Sequence, residues 1–284
     1  MKRELALFAG AGGGLLGGHL LGWRPVCLVE FADYPRAVLK ARQRDGHLPA
    51  DCVLARDVFK FDGRPWRGRV DILTGGFPCQ PFSTAGQNLA ERDARNGWPH
   101  TLRIVREVRP REVFFENVAG LIGRHSAYFK RIIREISALG YCVAWRCVSA
   151  QQVGAPHKRD RVWILGRFVS HANEVAAPCR SQPIKQRCVL KVDSSRANYA
   201  QGGACDGALS GARPRGFATT WWAVDPADAQ PRVGRVVDGV AHGVDRFAAL
   251  GNGQVPAVVA AAYVHLSRQL DAFEARLSRQ RGAA

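Results

Sequence analysis

Paired cysteines are what this chain most visibly lacks. Its eight cysteines (Cys27, Cys52, Cys79, Cys142, Cys147, Cys179, Cys188 and Cys205) include no CxxC pair, so their spacing offers no zinc site and no metal is expected. A chain of 284 residues with an ample core has no need of a disulfide framework, and the cysteine usage suits a reducing cytosol. Acidic charge is also scarce: 24 Asp and Glu stand against 41 Lys and Arg, a net charge of +17. That balance favours a polyanionic partner, most simply nucleic acid, without separating DNA from RNA. No internal repeat is visible. A content of 46% hydrophobic and 23% charged residues describes a globular chain, neither membrane-spanning nor disordered. The run from Leu5 to Leu21 behind Lys2-Arg3 has the outline of a secretory signal, but Glu4 and the many glycines speak against that reading.

What is present reads as alternating strands and helices. Glu4 to Phe8 predicts a first strand that runs into the glycine-rich stretch Ala9 to Gly18, which opens a helix. Pro25 to Val29 predicts a second strand, ending at Glu30-Phe31. An acidic residue at the tip of the second strand of such a βαβ unit binds an adenosine ribose through its hydroxyls. Gly12, Gly14 and Gly17 satisfy GxGxxG, a weak signal that does not distinguish nicotinamide cofactors from S-adenosylmethionine. Tyr34 to Arg44 and Leu102 to Val108 read as helices; Val70 to Thr74, Glu112 to Phe115, Cys142 to Val148 and Arg161 to Leu165 read as strands. Phe129, Ile132, Ile133 and Ile136 fall at helical spacing and are expected in the core. The fold class is α/β, doubly wound. From about Arg167 to Thr220 the texture becomes rich in Ser, Ala, Gly and Arg, which predicts a small, loop-rich module. Ala257 to Arg276 is apolar at helical intervals and is expected to pack back on the first domain.

Cys79 stands out chemically. The strand Val70 to Thr74 ends in Gly75-Gly76, and Pro78 stiffens the turn that carries Cys79. A free cysteine is most often a small buried hydrophobe, but the carboxyl end of a strand is where open α/β sheets carry their chemistry. The polar stretch Thr84 to Asn96 that follows has the composition of a mobile lid or of an ordinary surface loop.

Taken in order, these segments resemble the DNA cytosine-5 methyltransferases of bacterial restriction-modification systems and phages. Phe8-Ala9-Gly10-Ala11-Gly12-Gly13 is similar to the family's cofactor loop, Gly75 to Ser83 to its Pro-Cys loop, and Glu116-Asn117-Val118 to its Glu-Asn-Val motif. Gln152 to Arg161 resembles the Gln-x-Arg-x-Arg segment, and Gly251-Asn252 with Pro256 the last motif. Two departures are visible: His157 replaces the usual glutamine, and the region before the last motif is short. The resemblance implies a Rossmann-like, mostly parallel sheet in an S-adenosylmethionine-binding catalytic domain (residues 1–168 and 247–284), with a small target recognition domain at 169–246. It implies cofactor contacts from Phe8, Gly10, Gly12, Gly13, Pro78 and Asn252, with Glu30 on the ribose, Phe31 stacking on adenine and Asp57 at the adenine amino group. Ser83 and Arg95 are expected to face double-stranded DNA. A monomer in the cytoplasm of a bacterial cell or phage-infected host is the family's default.

The implied chemistry assigns four residues. Cytosine carbon 5 is a poor nucleophile, so the Cys79 thiolate attacks carbon 6 of a base flipped out of the duplex. Glu116 meets the charge that develops at N3, and Arg161, with Arg159 beside it, meets the charge at O2. A tRNA methyltransferase of the same fold and a catalytically inactive DNA-binding relative are the alternatives.

Overall fold

The computed structural model describes residues 1–78, 96–123, 125–169, 249 and 251–282. The expectations for Cys79, Ser83, Arg95, the polar stretch that follows Cys79 up to residue 95, and the recognition module at 170–246 lie outside the described residues. Seven strands among the described residues form one sheet: β1 (Arg3–Leu7), β2 (Arg24–Val29), β3 (Val53–Ala55), β4 (Ile72–Gly75), β5 (Glu112–Val118), β6 (Tyr141–Ser149) and β7 (Asp160–Phe168). Their order is β3-β2-β1-β4-β5-β7-β6. The first five are parallel, whereas β7 runs antiparallel to both β5 and β6. The order reverses between β1 and β4, which opens the crevice where doubly wound sheets bind their ligands.

Strands buried on both faces need apolar residues at consecutive positions, and the segments of β1, β4 and β5 supply them. On one face Leu5, Leu73, Val113, Phe115 and Ile164 pack against α3 (Trp98–Val108) and α4 (Ser126–Ala138). Phe129, Ile132, Ile133 and Ile136 all lie in this core, as their spacing predicts. On the other face Ala6 and Leu28 meet Leu15 of α1 (Gly13–Leu20) and Leu39 of α2 (Asp33–Arg44). There too Phe114, Ala144 and Trp163 meet Val258, Ala262 and Leu266 of α5 (Pro256–Gly282). The last helix therefore packs back on the first domain. Several boundaries differ from the sequence expectation by a residue or more, and two of them bear on the site. α3 starts at Trp98 rather than Leu102, because Pro99 sits in the first turn, where its missing N–H costs nothing. Glu116-Asn117-Val118 lies within β5 rather than beyond it, because β7 continues the ladder through Val118.

Charge locks α5 to the lower edge of the sheet. Glu112 sits opposite Arg167 in the β5–β7 ladder, and Arg167 Nε reaches Glu112 Oε1 at 3.0 Å. Tyr263 of α5 donates to Glu112 Oε2 at 2.7 Å, and Lys2 bonds both groups. Arg167 also pairs with Asp271 at 2.5 Å. Burial pushes the Glu112 carboxyl up, but Lys2, Tyr263 and Arg167 outweigh that and hold it below the usual range.

Glu4 has no such company. It is 1% exposed, its Oε1 accepts from Thr74 Oγ1 at 2.7 Å, and its Oε2 has no partner among the described residues. Burial raises its pKa from 4.5 to about 7, with Thr74 opposing. A carboxyl with a raised folded-state pKa contributes stability that is complete below pH 4.5 and is lost as the pH climbs through about 7. The span corresponds to about 3 kcal/mol. Urea unfolding of Glu4→Gln beside the wild type should show a decline from about pH 5 to about pH 8 that is steeper in the wild type by this amount. Parallel pH profiles for the two proteins would refute it.

Candidate active site

The crevice at the sheet's switch point is lined by Ala6 to Gly10 from the end of β1, by Gly13 to Leu15, by Thr74 to Gly76 from the end of β4, by Glu116, and by Asn252 to Gln254. Most of this lining is backbone, exposed because the sequence is glycine-rich on both sides. Gly12 turns the chain into α1 at φ 95°, a left-handed angle that an L side chain resists. Gly17 has another purpose. A β-carbon there would come within 2.4 Å of Val259, so the third glycine of the GxGxxG pattern admits α5, not a ligand.

Four of the residues implied for cofactor contact, Phe8, Gly10, Gly13 and Asn252, line this crevice, whereas Gly12 shapes the turn behind it. Phe8 holds a left-handed backbone angle, φ 53°, unusual for an aromatic residue. Its ring closes on Gly97, where an added β-carbon would lie 2.8 Å from both Phe8 and Pro78. Glu30, at the tip of β2, accepts from Gly10 N at 2.7 Å through one oxygen and from Ala32 N at 2.8 Å through the other, so it braces the glycine loop. Phe31 is 66% exposed, with the Arg56 guanidinium 5.5 Å above its ring. Asp57 accepts from Phe59 N at 2.8 Å and forms a local turn. Arg36 ties the ends of β2 and β3 together through the carbonyls of Glu30 and Ala55, at 2.9 and 2.5 Å.

Glu116 points into the crevice from the face of β5 that also carries Glu112. It is 9% exposed, and its Oε1 pairs with Arg161 Nε at 2.8 Å. The two residues are diagonal neighbours in the β5–β7 ladder, since Trp163 stands opposite Glu116. Burial pushes the Glu116 carboxyl up, and Arg161, Gln254 and Arg159 only partly offset this. Arg159 is not on Glu116. Its guanidinium donates to the carbonyls of Gly251 and Gly253, each at 2.8 Å, and fastens the loop that carries Asn252. The sequence reading grouped the two arginines; the structure separates an ion pair from a clamp. His157 is exposed.

Two contributors escaped the sequence reading. Asn117, next to Glu116 but on the opposite face, donates through Nδ2 to the carbonyl of Phe77 at 2.9 Å and fixes the backbone leading to Pro78. A buried amide beside an acid in an otherwise apolar strand was the available signal. Gln254 reaches Glu116 Oε2 from the last motif, at 3.4 Å. Only its position two residues after Asn252 hinted at this. At the far end, Asn96 accepts from Trp98 N and from Tyr128 Oη at 3.1 and 2.8 Å, anchoring the point where the described chain resumes after residue 95.

Arg161 is the countercharge for a buried carboxylate, so its loss should depend on pH. Arg161→Leu is expected to cost about 3 kcal/mol in denaturant unfolding at about pH 8. The loss should shrink at about pH 5, where a protonated Glu116 needs no cation. An equal loss at both values would mean that Arg161 acts through packing alone.

The model of the C-5 cytosine-specific DNA methylase family matches residues 3–201. A Type II methyltransferase of Neisseria gonorrhoeae, M.NgoMIV, is 34% identical over 172 residues, 60% of this chain and 52% of that protein. M.PspPI of a Psychrobacter strain is 37% identical over 163 residues, 56% of this chain and 38% of its own length. The chain thus spans about half or less of the length of these curated relatives. A mutant DNMT2 of Spodoptera frugiperda is a structural neighbour at 20% identity and a TM-score of 0.49, over 64% of this chain and 53% of that one. With its motifs in order and a family match over most of its length, this chain belongs to the C-5 cytosine-specific DNA methylase family.

Proposed function

We propose that this protein is a DNA cytosine-5 methyltransferase that uses S-adenosylmethionine. The observation that carries the reading is the buried Glu116–Arg161 pair, set beside a glycine-lined crevice and the strand end that leads to Pro78 and Cys79. Family membership and the net charge of +17 support double-stranded DNA as the partner.

The crevice suits an adenosyl amino acid. Each Glu30 oxygen already accepting one N–H keeps a lone pair for a ribose hydroxyl. The exposed Phe31 ring offers a stacking face, Asp57 an acceptor, and Asn252 a polar group on the crevice wall. Phe8, Gly10 and Gly13 line the crevice, and Pro78 sits against Gly97 beside the Phe8 ring. When bound, the cofactor supplies a methyl group activated on a sulfonium.

The chain's own residues do the rest. The Cys79 thiolate forms a bond to cytosine carbon 6, and electron density moves to carbon 5, which takes the methyl group. Glu116, whose carboxyl burial pushes above its usual range, gives a proton to N3 as charge builds there. Arg161 orients Glu116 and meets O2, while Arg159 keeps the 251–253 loop against the crevice. Water removes the carbon 5 proton, the carbon–sulfur bond breaks to release Cys79, and the proton on N3 returns to Glu116. The cytosine must leave the stack for this, at a cost of a few kcal/mol. Ser83 and Arg95 face the DNA, and residues 169–246 read its sequence. The protein acts as a monomer in the cytoplasm.

Methyl transfer from labelled S-adenosylmethionine to mixed-sequence duplex DNA, with wild type beside Cys79→Ser, tests the reading. Label should enter DNA as 5-methylcytosine with the wild type, and the serine variant should fall by at least about a thousandfold. Label entering tRNA instead would keep the mechanism and replace the substrate. DNA binding without transfer to either would make the chain a binding protein.

A further inference from the structure

Gln254 occupies a slot that three glycines create. A β-carbon on Gly13 would lie 2.3 Å from the Gln254 carbonyl oxygen, and one on Gly14 would lie 2.4 Å from its side-chain Oε1. On the other wall, a β-carbon on Gly76 would lie 3.2 Å from Gln254 Nε2 and 3.0 Å from Glu116 Oε2. Any side chain at Gly13 or Gly14 would close the slot, so the glutamine's path to the acid is built into the cofactor loop itself. The slot lies within the crevice that the Proposed function assigns to the cofactor, and Gln254 lines it.

Both oxygens of Glu116 thus meet donors: Arg161 Nε on Oε1 at 2.8 Å and Gln254 Nε2 on Oε2 at 3.4 Å. Both donors favour the carboxylate, yet the chemistry at N3 calls for a proton on Glu116. The two contacts differ in strength. The arginine contact is short and charge-assisted, whereas the glutamine contact is long and neutral and breaks with a small shift. The loop that carries it is fastened by Arg159 through the Gly251 and Gly253 carbonyls, so the glutamine side chain is the part free to swing.

Resting on that assignment of the crevice, we propose that Gln254 is a positioning residue that couples the cofactor pocket to Glu116: filling the pocket draws the glutamine amide away from Oε2, and Glu116 takes up a proton. The acid is then more readily protonated once the adenosyl pocket is filled, and the glutamine contact is the lever. The charged groups facing Glu116 are Arg161 on β7 and Arg159 just before it; the β4 wall contributes Gly75 and Gly76, and the last motif contributes only the neutral Gln254. Cys79, the next titratable group along the β4 segment, lies outside the described residues.

Linkage makes the coupling measurable without catalysis, because proton uptake on binding requires affinity to rise as the pH falls through the Glu116 titration. The probe is S-adenosylhomocysteine, which lacks the sulfonium charge that would itself repel a proton. Calorimetric titration in buffers of different ionisation heat, from about pH 5 to about pH 9, reads the protons directly. Wild type should take up part of a proton per ligand, with affinity changing by at most about tenfold per pH unit. Gln254→Met keeps the length and bulk but has no N–H, so Glu116 is already protonated more readily and the uptake should shrink to near zero. Glu116→Gln should abolish it. Binding without proton uptake in the wild type, or uptake that persists in either variant, overturns this proposal and leaves the methyltransferase reading intact. No binding at all overturns both.

Discussion

The close approach of α1 to the last helix is the constraint from which the rest of the site follows. α1 can lie against Val259 and the chain before Pro256 only because Gly13, Gly14 and Gly17 present no side chains there. A helix with three glycines on one side is a poor helix on its own propensity, so packing must hold it. That packing delivers residues from the far end of the chain to the crevice between β1 and β4. Asn252 and Gln254 reach the site this way, and Arg159 then fixes their loop. The two walls of the crevice are thus far apart in sequence and adjacent in space.

Two glutamates on one strand show how neighbours decide the use of a buried carboxylate. Glu112 and Glu116 lie on the same face of β5, four residues apart, and each pairs with an arginine of β7. Glu112 also has Lys2 and Tyr263, and it is held ionised. Glu116 has one close cation and a long amide contact, and burial prevails. The first pair, with α5, is structural. The second leaves a carboxyl that burial pushes above its usual range, and β7 supplies the partner in both cases because its antiparallel register repeats every second residue.

Much of this was legible in the sequence. Apolar runs marked β1, β4 and β5, and the spacing of Phe129 to Ile136 marked α4, because burial on a fixed face imposes a period that composition cannot hide. Glu116 and Arg161 could be named because their motifs occur in order. What the sequence did not reveal is which arginine touches what. Arg159 and Arg161 alternate on a strand entry, and only the β5–β7 register places Arg161 diagonal to Glu116 while Arg159 meets the 251–253 loop. The GxGxxG pattern is a weak signal for a similar reason: a glycine such as Gly17 looks the same whether it makes room for a ligand or for another helix. Gln254 was unreadable because its contact spans 138 positions.

Phe8 has an implication for how this protein can change. Its backbone at φ 53° stores about 1 to 3 kcal/mol that a glycine would release. A Phe8→Gly replacement would nonetheless strip the ring that closes on Gly97 and Pro78, on the approach to Cys79. That ring packs against the main core, and losing a core aromatic costs about 3 to 5 kcal/mol, more than the relaxation returns. The strained angle is therefore tolerated because the ring it carries contributes more to stability than the angle removes.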